Sequence, residues 1–201
     1  MPWRRRASAT APVRADRTEK GRRAHMGMSV TIAAATEDDA ERILKLQYLC
    51  YQGEAELYGD YSLAPLTQSL ADLRAELDAG PVLVARLGDE VVGSVRATVD
   101  GDGTAVISGL MVHPRMQRHG LGGRLLAAVE ERLAAERSAR RYRLAAGHRN
   151  EGNLRLYRKW GYEPVATEQL TRKITLVTLE KGAASVHGDA RQEAAALARS
   201  A

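Results

Sequence analysis

The 201-residue sequence predicts a single α/β domain in which about six to seven strands form a central sheet flanked by about four helices. Three features predict it. Hydrophobic positions switch between a period of two and a period of three to four in the order β-α-α-β-β-β-α-β-α-β-β. At 44% hydrophobic residues, the chain can bury one good core but is short for two domains of ordinary size. One cysteine, Cys50, leaves no internal disulfide and no cysteine-based metal cluster, as a reducing compartment would allow. The expected organisation is a basic extension over 1–27, one domain over 28–181 and an alanine-rich tail over 182–201.

The elements follow in order. Val30 to Ala34 is β-rich and ends at Thr36, which can cap a helix whose first turn holds Glu37, Asp38 and Asp39. That helix is expected to reach about Tyr51, with Ile43, Leu46 and Cys50 on one face, so Cys50 reads as a core residue. Gln52 to Leu66, with Gly53, Gly59 and Pro65 among Tyr58, Tyr61 and the preceding Tyr51, reads as a long loop. A second helix with Leu70, Leu73 and Leu77 on one face stops at Gly80-Pro81. Val82–Leu87, Glu90–Val99 and Thr104–Val112 form an antiparallel meander with turns at Gly88-Asp89 and Asp100 to Gly103. A long helix then repeats Leu121, Leu125, Val129 and Leu133 every four residues. Tyr142 to Ala146 reads as a strand, Glu151 to Trp160 as a helix, and Glu163 to Ala166 and Ile174 to Glu180 as closing strands. From Lys181 onward no apolar stripe is visible.

The formal charge of +5 raises nucleic acid as a partner, but the charge is concentrated at one end. Residues 1–25 hold seven arginines and Lys20 against Asp16 and Glu19, a net +6, which leaves −1 for the rest of the chain. The extension lacks apolar periodicity and reads as disordered; an early start ahead of Met26 or Met28, a targeting peptide and a polyanion-binding arm are its three readings. Binding of nucleic acid by the domain would need clustered cations on its folded surface. None is expected there. The longest apolar runs, such as Ala105 to Val112, fall well short of the roughly 18 residues of a membrane span, so no membrane association is expected and the cytoplasm is the default location.

The chemistry-bearing segment runs from Leu110 through His113-Pro114-Arg115-Met116-Gln117-Arg118-His119-Gly120-Leu121-Gly122-Gly123-Arg124. It is a strand, a basic glycine-bearing loop and a helix start. The first amides of a helix have no internal partner and lie at the positive end of its dipole, so this junction suits an anion. Gly120 and Gly122 allow phosphates to approach the main chain, and Arg118 and Arg124 add charge at the rim. No Gly-Lys-Ser/Thr of a P-loop is present, and the spacing is wrong for a dinucleotide-binding fingerprint. A diphosphate is the natural ligand.

Gln117-x-x-Gly120-x-Gly122, preceded by Leu110-x-Val112-x-Pro114, resembles the acyl-CoA-binding motif of the GNAT superfamily of N-acetyltransferases. Asn150 to Tyr162 is similar to the family segment that carries an asparagine, a tyrosine and an aromatic-glycine-aromatic end. The resemblance covers roughly Ser29 to Glu180. It implies a mixed central sheet, acetyl-CoA as co-substrate and no metal. It also implies that the strand before the loop splays from the strand after the long helix, with pantetheine bonding to the exposed backbone of Leu110, Met111 and Val112. Gly109, inside an otherwise β-rich run, supports a bulge there. The segment Gln117, Arg118, His119, Gly120, Leu121, Gly122, Gly123 and Arg124 would hold the pyrophosphate, and Asn153 the cofactor arm.

The implied reaction is direct attack of a neutral amine on the thioester, with Tyr157, four residues after Asn153, protonating the leaving thiolate. The general base is open. Ser108 stands where some relatives carry His or Glu, which leaves a water relay or one of His148, Glu54 and Glu56; His113 reads as a solvated or capping residue. The acceptor is a small-molecule or peptide amine, with Glu54, Glu56 and Asp60 able to attract a cation. A non-catalytic acyl-CoA-binding module is the alternative. A homodimer formed through the closing strand Ile174 to Glu180 is a further expectation.

Overall fold

A computed structural model describes residues 29–183; the expectations for the basic extension and for the tail beyond 183 lie outside the described residues. Seven strands, β1 (Val30–Ala34), β2 (Val82–Leu87), β3 (Glu90–Val99), β4 (Thr104–Val112), β5 (Arg141–Gly147), β6 (Glu163–Gln169) and β7 (Thr175–Gly182), form one sheet. Their order is β1-β2-β3-β4-β5-β7-β6. Neighbours are antiparallel except β4 and β5, which run parallel, so the sheet is mixed.

The period-two pattern of the central strands divides the core. Along β2, Leu83 and Ala85 face one side, where Leu125, Leu126, Val129 and Leu133 of α4 (Leu121–Arg137) are fully buried. Val82 and Val84 face the other side, packing with Ile43 and Leu46 of α1 (Ala40–Tyr58) and Leu73 of α3 (Leu70–Ala79). Each such aliphatic side chain stabilises the fold by roughly 1.5–3 kcal/mol. The meander turns form as their residues require. Gly88 and Gly103 adopt φ of 60° and 82°, and Asp102 accepts from the Thr104 amide at 2.9 Å. Ser69 and Asp72 close the start of α3 through reciprocal side-chain bonds, with the Asp72 amide donating to Ser69 Oγ at 3.1 Å.

Four expectations need correction. The first helix does not end near Tyr51 but continues to Tyr58, and the segment expected as a loop contains a further short helix, α2 (Ala64–Thr67). Gly53 costs a helix about 1 kcal/mol, but Ala55 and Tyr58 beyond it are buried, and Tyr58 Oη accepts from the Arg149 amide at 2.9 Å. β6 extends to Gln169 although every one of its residues is exposed; its pairing with β7 defines it. Gly182 belongs to β7 rather than to a tail, and Lys181 Nζ of the same strand lies 2.6 Å from Glu130 Oε2. β7 is flanked by β5 and β6, so it has no free edge for a partner chain; the sheet's edges are β1 and β6.

Candidate active site

The parallel pair β4–β5 holds only from Thr104↔Arg141 to Val106↔Arg143. Beyond Val106 the two strands part while β4 continues to Val112, which opens a wedge in the sheet. The cause is visible on the other side of β4. Between the pairs Ser94↔Met111 and Arg96↔Ser108, β4 contributes one residue more than β3, and Gly109 lies there at φ 56°. A Cβ on Gly109 would meet Arg96 Nε at 2.6 Å, so a side chain there would also have to push the Arg96 guanidinium aside. The bulge expected from Gly109 is present.

At the end of β4 the chain turns through Pro114–Met116 into the glycine-bearing loop. Arg118 adopts φ 64°, uncommon for a residue with a side chain, and Gly120 adopts φ 77° as the cap of α4. The first amide to find a helical partner is that of Arg124, on the Gly120 carbonyl at 3.1 Å. The amides of Leu121, Gly122 and Gly123 are the unpaired donors of the helix start. Gly120 has open space where a Cβ would stand. At Gly122 a Cβ would meet Leu156 at 3.2 Å, and at Gly123 it would strike the Trp160 indole at 2.6 Å, so these two glycines also permit α4 to pack against α5 (Glu151–Lys159).

The loop, β4, α1 and α5 enclose a cleft of about 680 Å³. Leu110, Met111, Val112, Gln117, Arg118, Gly120, Leu121, Gly122, Gly123 and Asn153, all singled out from sequence, line it. Gln117 turns its side-chain amide back to donate to the Val112 carbonyl at 3.0 Å, so it shapes the loop. His119 is exposed, its ring 2.7 Å from the Gln117 carbonyl. Arg124 departs from expectation: its guanidinium leaves the cleft rim and donates to the Val30 carbonyl of β1 at 3.0 Å.

Tyr157 departs too. Four helical residues turn through about 400°, and the 40° excess turns Tyr157 with Leu154 into the core while Asn153 faces the cleft. The Tyr157 ring lies 6.2 Å from that of Tyr162. Burial, then the neighbouring Tyr51 and Glu54, push its hydroxyl well above the usual phenol range. Both of those neighbours line the cleft.

Among the base candidates the structure selects by position. Glu54 lines the cleft; burial raises its carboxyl above the ordinary range, opposed by a hydrogen bond from the Asn150 side chain. Glu56 and Ser108 are exposed, and neither lines the cleft. His148 is exposed, with Nδ1 accepting from the Thr175 amide at 3.2 Å.

Among the cleft residues that the sequence reading does not single out, Tyr51, Arg155 and Lys159 carry polar side chains. Tyr51 was assigned to a helix end, yet it lines the wall with its hydroxyl pushed up to about 12, chiefly by burial. Arg155 and Lys159, one turn apart on α5, face the cleft, and their spacing from Gly152 was the available signal. Cys50 packs against the core beside Ile43 and Leu46 as expected, and it also stands half-buried in the cleft wall, Sγ 3.5 Å from the Val112 carbonyl, with burial pushing the thiol up to about 11.

Residues 40–162 match the model of the acetyltransferase (GNAT) family. No curated protein matches the chain in sequence. Among solved structures, a GNAT-family acetyltransferase from Staphylococcus aureus is 13% identical with a TM-score of 0.64, covering 78% of this chain and all of its own. One from Streptococcus pneumoniae is 20% identical with a TM-score of 0.61, covering 77% and 99%. The yncA protein of Salmonella typhimurium, solved with its cofactor acetyl-CoA, is 20% identical with a TM-score of 0.63, covering 78% and 95%. At these identities the likeness shows the fold. Among the described residues no helix is long and apolar enough to cross a membrane.

Proposed function

The chain belongs to the GNAT family of acetyltransferases, and from that premise we propose that it transfers an acetyl group from acetyl-CoA to a primary amine by direct attack on the thioester. One observation carries the reading. The end of β4, past its last pair with β5, and the start of α4 with its unpaired amides line the same cleft. A strand with free backbone groups suits the amide-bearing pantetheine arm, and a helix start suits a diphosphate. Arg118, Arg155 and Lys159 add positive charge at that end.

The thioester supplies an activated acyl carbon. The protein's part is to hold it in the wedge, to accept the amine from the α1 side and to stabilise the departing sulfur. Tyr157 is the proposed donor to that sulfur. Its raised pKa keeps the hydroxyl protonated at every working pH, although as a weaker acid than a thiol it acts chiefly through a hydrogen bond that strengthens as charge develops. Tyr51, already in the wall, is the competing donor. A non-catalytic acyl-CoA-binding module is the second reading, favoured by the packing of Tyr157 within the core.

The test is a panel of amines with acetyl-CoA, following thiol release, alongside calorimetry of acetyl-CoA binding. We expect Tyr157→Phe to lower turnover about a hundredfold, within the usual range for a proton donor, and to leave acetyl-CoA affinity within about twofold. A comparable drop in Tyr51→Phe alone would move the role to Tyr51. Binding without thiol release across the panel would favour the non-catalytic reading, and the absence of binding would end both.

A further inference from the structure

The cleft is electrically lopsided. Its cations among the described residues, Arg118, Arg155 and Lys159, belong to the loop and to α5, whereas Glu54, on the α1 wall, is the one carboxylate among the described residues that line it. Glu54 stands one helical turn beyond Cys50, whose thiol touches the Val112 carbonyl at the end of β4. The row Cys50, Tyr51, Glu54 and Leu57 therefore forms the wall that faces the wedge from the side opposite α4.

Resting on the acetyl-transfer reading above, we infer that Glu54 receives the acceptor, taking a proton from its ammonium group, and that the acceptor is a primary amine with no carboxylate beside the nitrogen. Three observations converge on this residue. Glu54 on α1 and Asn150, which caps α5 by accepting from the Asn153 amide at 3.2 Å, line the same cleft, so the carboxylate stands where α1 meets the start of α5. Its partial burial makes it a better proton acceptor than a solvated glutamate. The other base candidates point elsewhere, His148 to the backbone of β7 and Glu56 to solvent.

The step balances as follows. The Glu54 carboxylate takes one proton from R–NH₃⁺. The neutral nitrogen attacks the thioester carbonyl, forming the C–N bond, and the C–S bond breaks with its electron pair on sulfur. The sulfur gains a proton from the tyrosine donor, which recovers one from the nitrogen of the adduct. Glu54 releases its proton to solvent through the open cleft, leaving one amide, one thiol and one proton.

The groups facing Glu54 separate its titration from theirs. On α1, burial pushes Tyr51 and Cys50 up to about 12 and about 11; on α5, burial raises the Tyr157 hydroxyl well above the usual phenol range, and Asn150 does not titrate. An acidic limb in the rate profile therefore belongs to Glu54. An α-carboxylate on the acceptor would place like charges together, whereas the matching amide would not.

The experiment compares wild type, Glu54→Gln, Glu54→Asp and Glu56→Gln for acetyl-CoA affinity and for kcat/KM against pH. The acceptors are matched pairs, each an amino acid and its carboxamide. We expect Glu54→Gln to lose about a hundredfold in kcat/KM together with the acidic limb, with acetyl-CoA affinity within about twofold. Glu54→Asp should recover part of the loss, and Glu56→Gln should match wild type. Carboxamides should exceed their parent amino acids by about tenfold or more. Retained rate and acidic limb in Glu54→Gln, or equal use of each pair, overturns the inference while acetyl transfer stands; a wild-type protein that binds no acetyl-CoA overturns both.

Discussion

Two helices begin beside clefts of similar size, and only one of those starts is left open. The start of α1 borders a cleft of about 800 Å³ whose wall holds Glu37, Asp38, Glu41 and Asp78 against Arg74 and Arg132. The turn Glu37–Asp39 that leads into α1 is closed by the chain itself: the Thr36 amide donates to Asp39 Oδ2 at 2.8 Å, and the Asp39 amide to the Thr36 carbonyl at 3.0 Å. The start of α4 borders the smaller cleft with no acidic residue in its first turn and a bare glycine as its cap. Every helix start attracts negative charge, so the difference lies in whether the sequence supplies that charge internally. The acidic first turn of α1 is a stability feature; the glycine-rich start of α4 is the place we propose for a ligand's phosphates.

The largest expected effect lies at the closed start. Asp39 is buried, and Arg86 Nη2 reaches both its oxygens at 2.6 Å. Burial alone would raise the Asp39 carboxyl, but the bonds from Arg86 and Thr36 together hold it below its ordinary 3.8. Arg86→Ala leaves a buried carboxylate without its cation and should cost about 3 kcal/mol of unfolding free energy in urea titrations at pH 7. The sign follows from linkage. A lowered folded-state pKa gives stability that is complete above the ordinary value and is lost as pH falls through the folded one. In Arg86→Ala burial is opposed by Thr36 and by the exposed Arg42, 4.0 Å from Asp39 Oδ1, so the gap between the two proteins should narrow as pH falls below about 4. A gap independent of pH would assign the loss to packing. Acetyl-CoA affinity of the folded variant should not change.

The next effect tests the open start directly. Gly120→Asp gives α4 the acidic cap that α1 already has, in a residue type that tolerates the left-handed conformation better than most. Helix stability should hold or improve slightly, while acetyl-CoA affinity falls about tenfold or more, as a fixed carboxylate now competes for the same amides. Unchanged affinity by calorimetry would mean that the phosphates of the ligand lie elsewhere.

Legibility from sequence tracks the range of the interactions involved. The meander β2–β4 could be read to the residue because its signals, alternation and two glycine-bearing turns, are local. The phosphate loop could be read for the same reason. The second half of α1 could not, since the burial of Tyr58 depends on Gly147 and Arg149, far along the chain. β6, exposed throughout, has no apolar pattern to detect and exists through its pairing with β7. Within the site, Glu54 and Glu56 are indistinguishable as letters two apart on a helix; the turn of α1 past Cys50 directs one to the cleft and the other to solvent. Arg124 shows the converse, a residue whose local position is right and whose side chain is claimed by Val30 on a distant strand.

The smallest effect separates fixed dipoles from mobile charges. Arg118 and Lys159 are exposed at the rim of the smaller cleft, and exposed charge pairs contribute little because water and salt screen them. Arg118→Ala and Lys159→Ala should each weaken acetyl-CoA binding only about two- to fivefold at low ionic strength. The loss should shrink further at about 1 M salt, where the screening length falls to about 3 Å. Arg74→Ala, which removes a cation from the larger cleft, should change affinity at neither salt concentration. If a rim substitution instead abolished binding, the cations would dominate over the main-chain amides, and the contrast between the two helix starts would lose its force. If all three variants bound alike, the amides of α4 would suffice for the diphosphate, and the rim would serve to attract the ligand rather than to hold it.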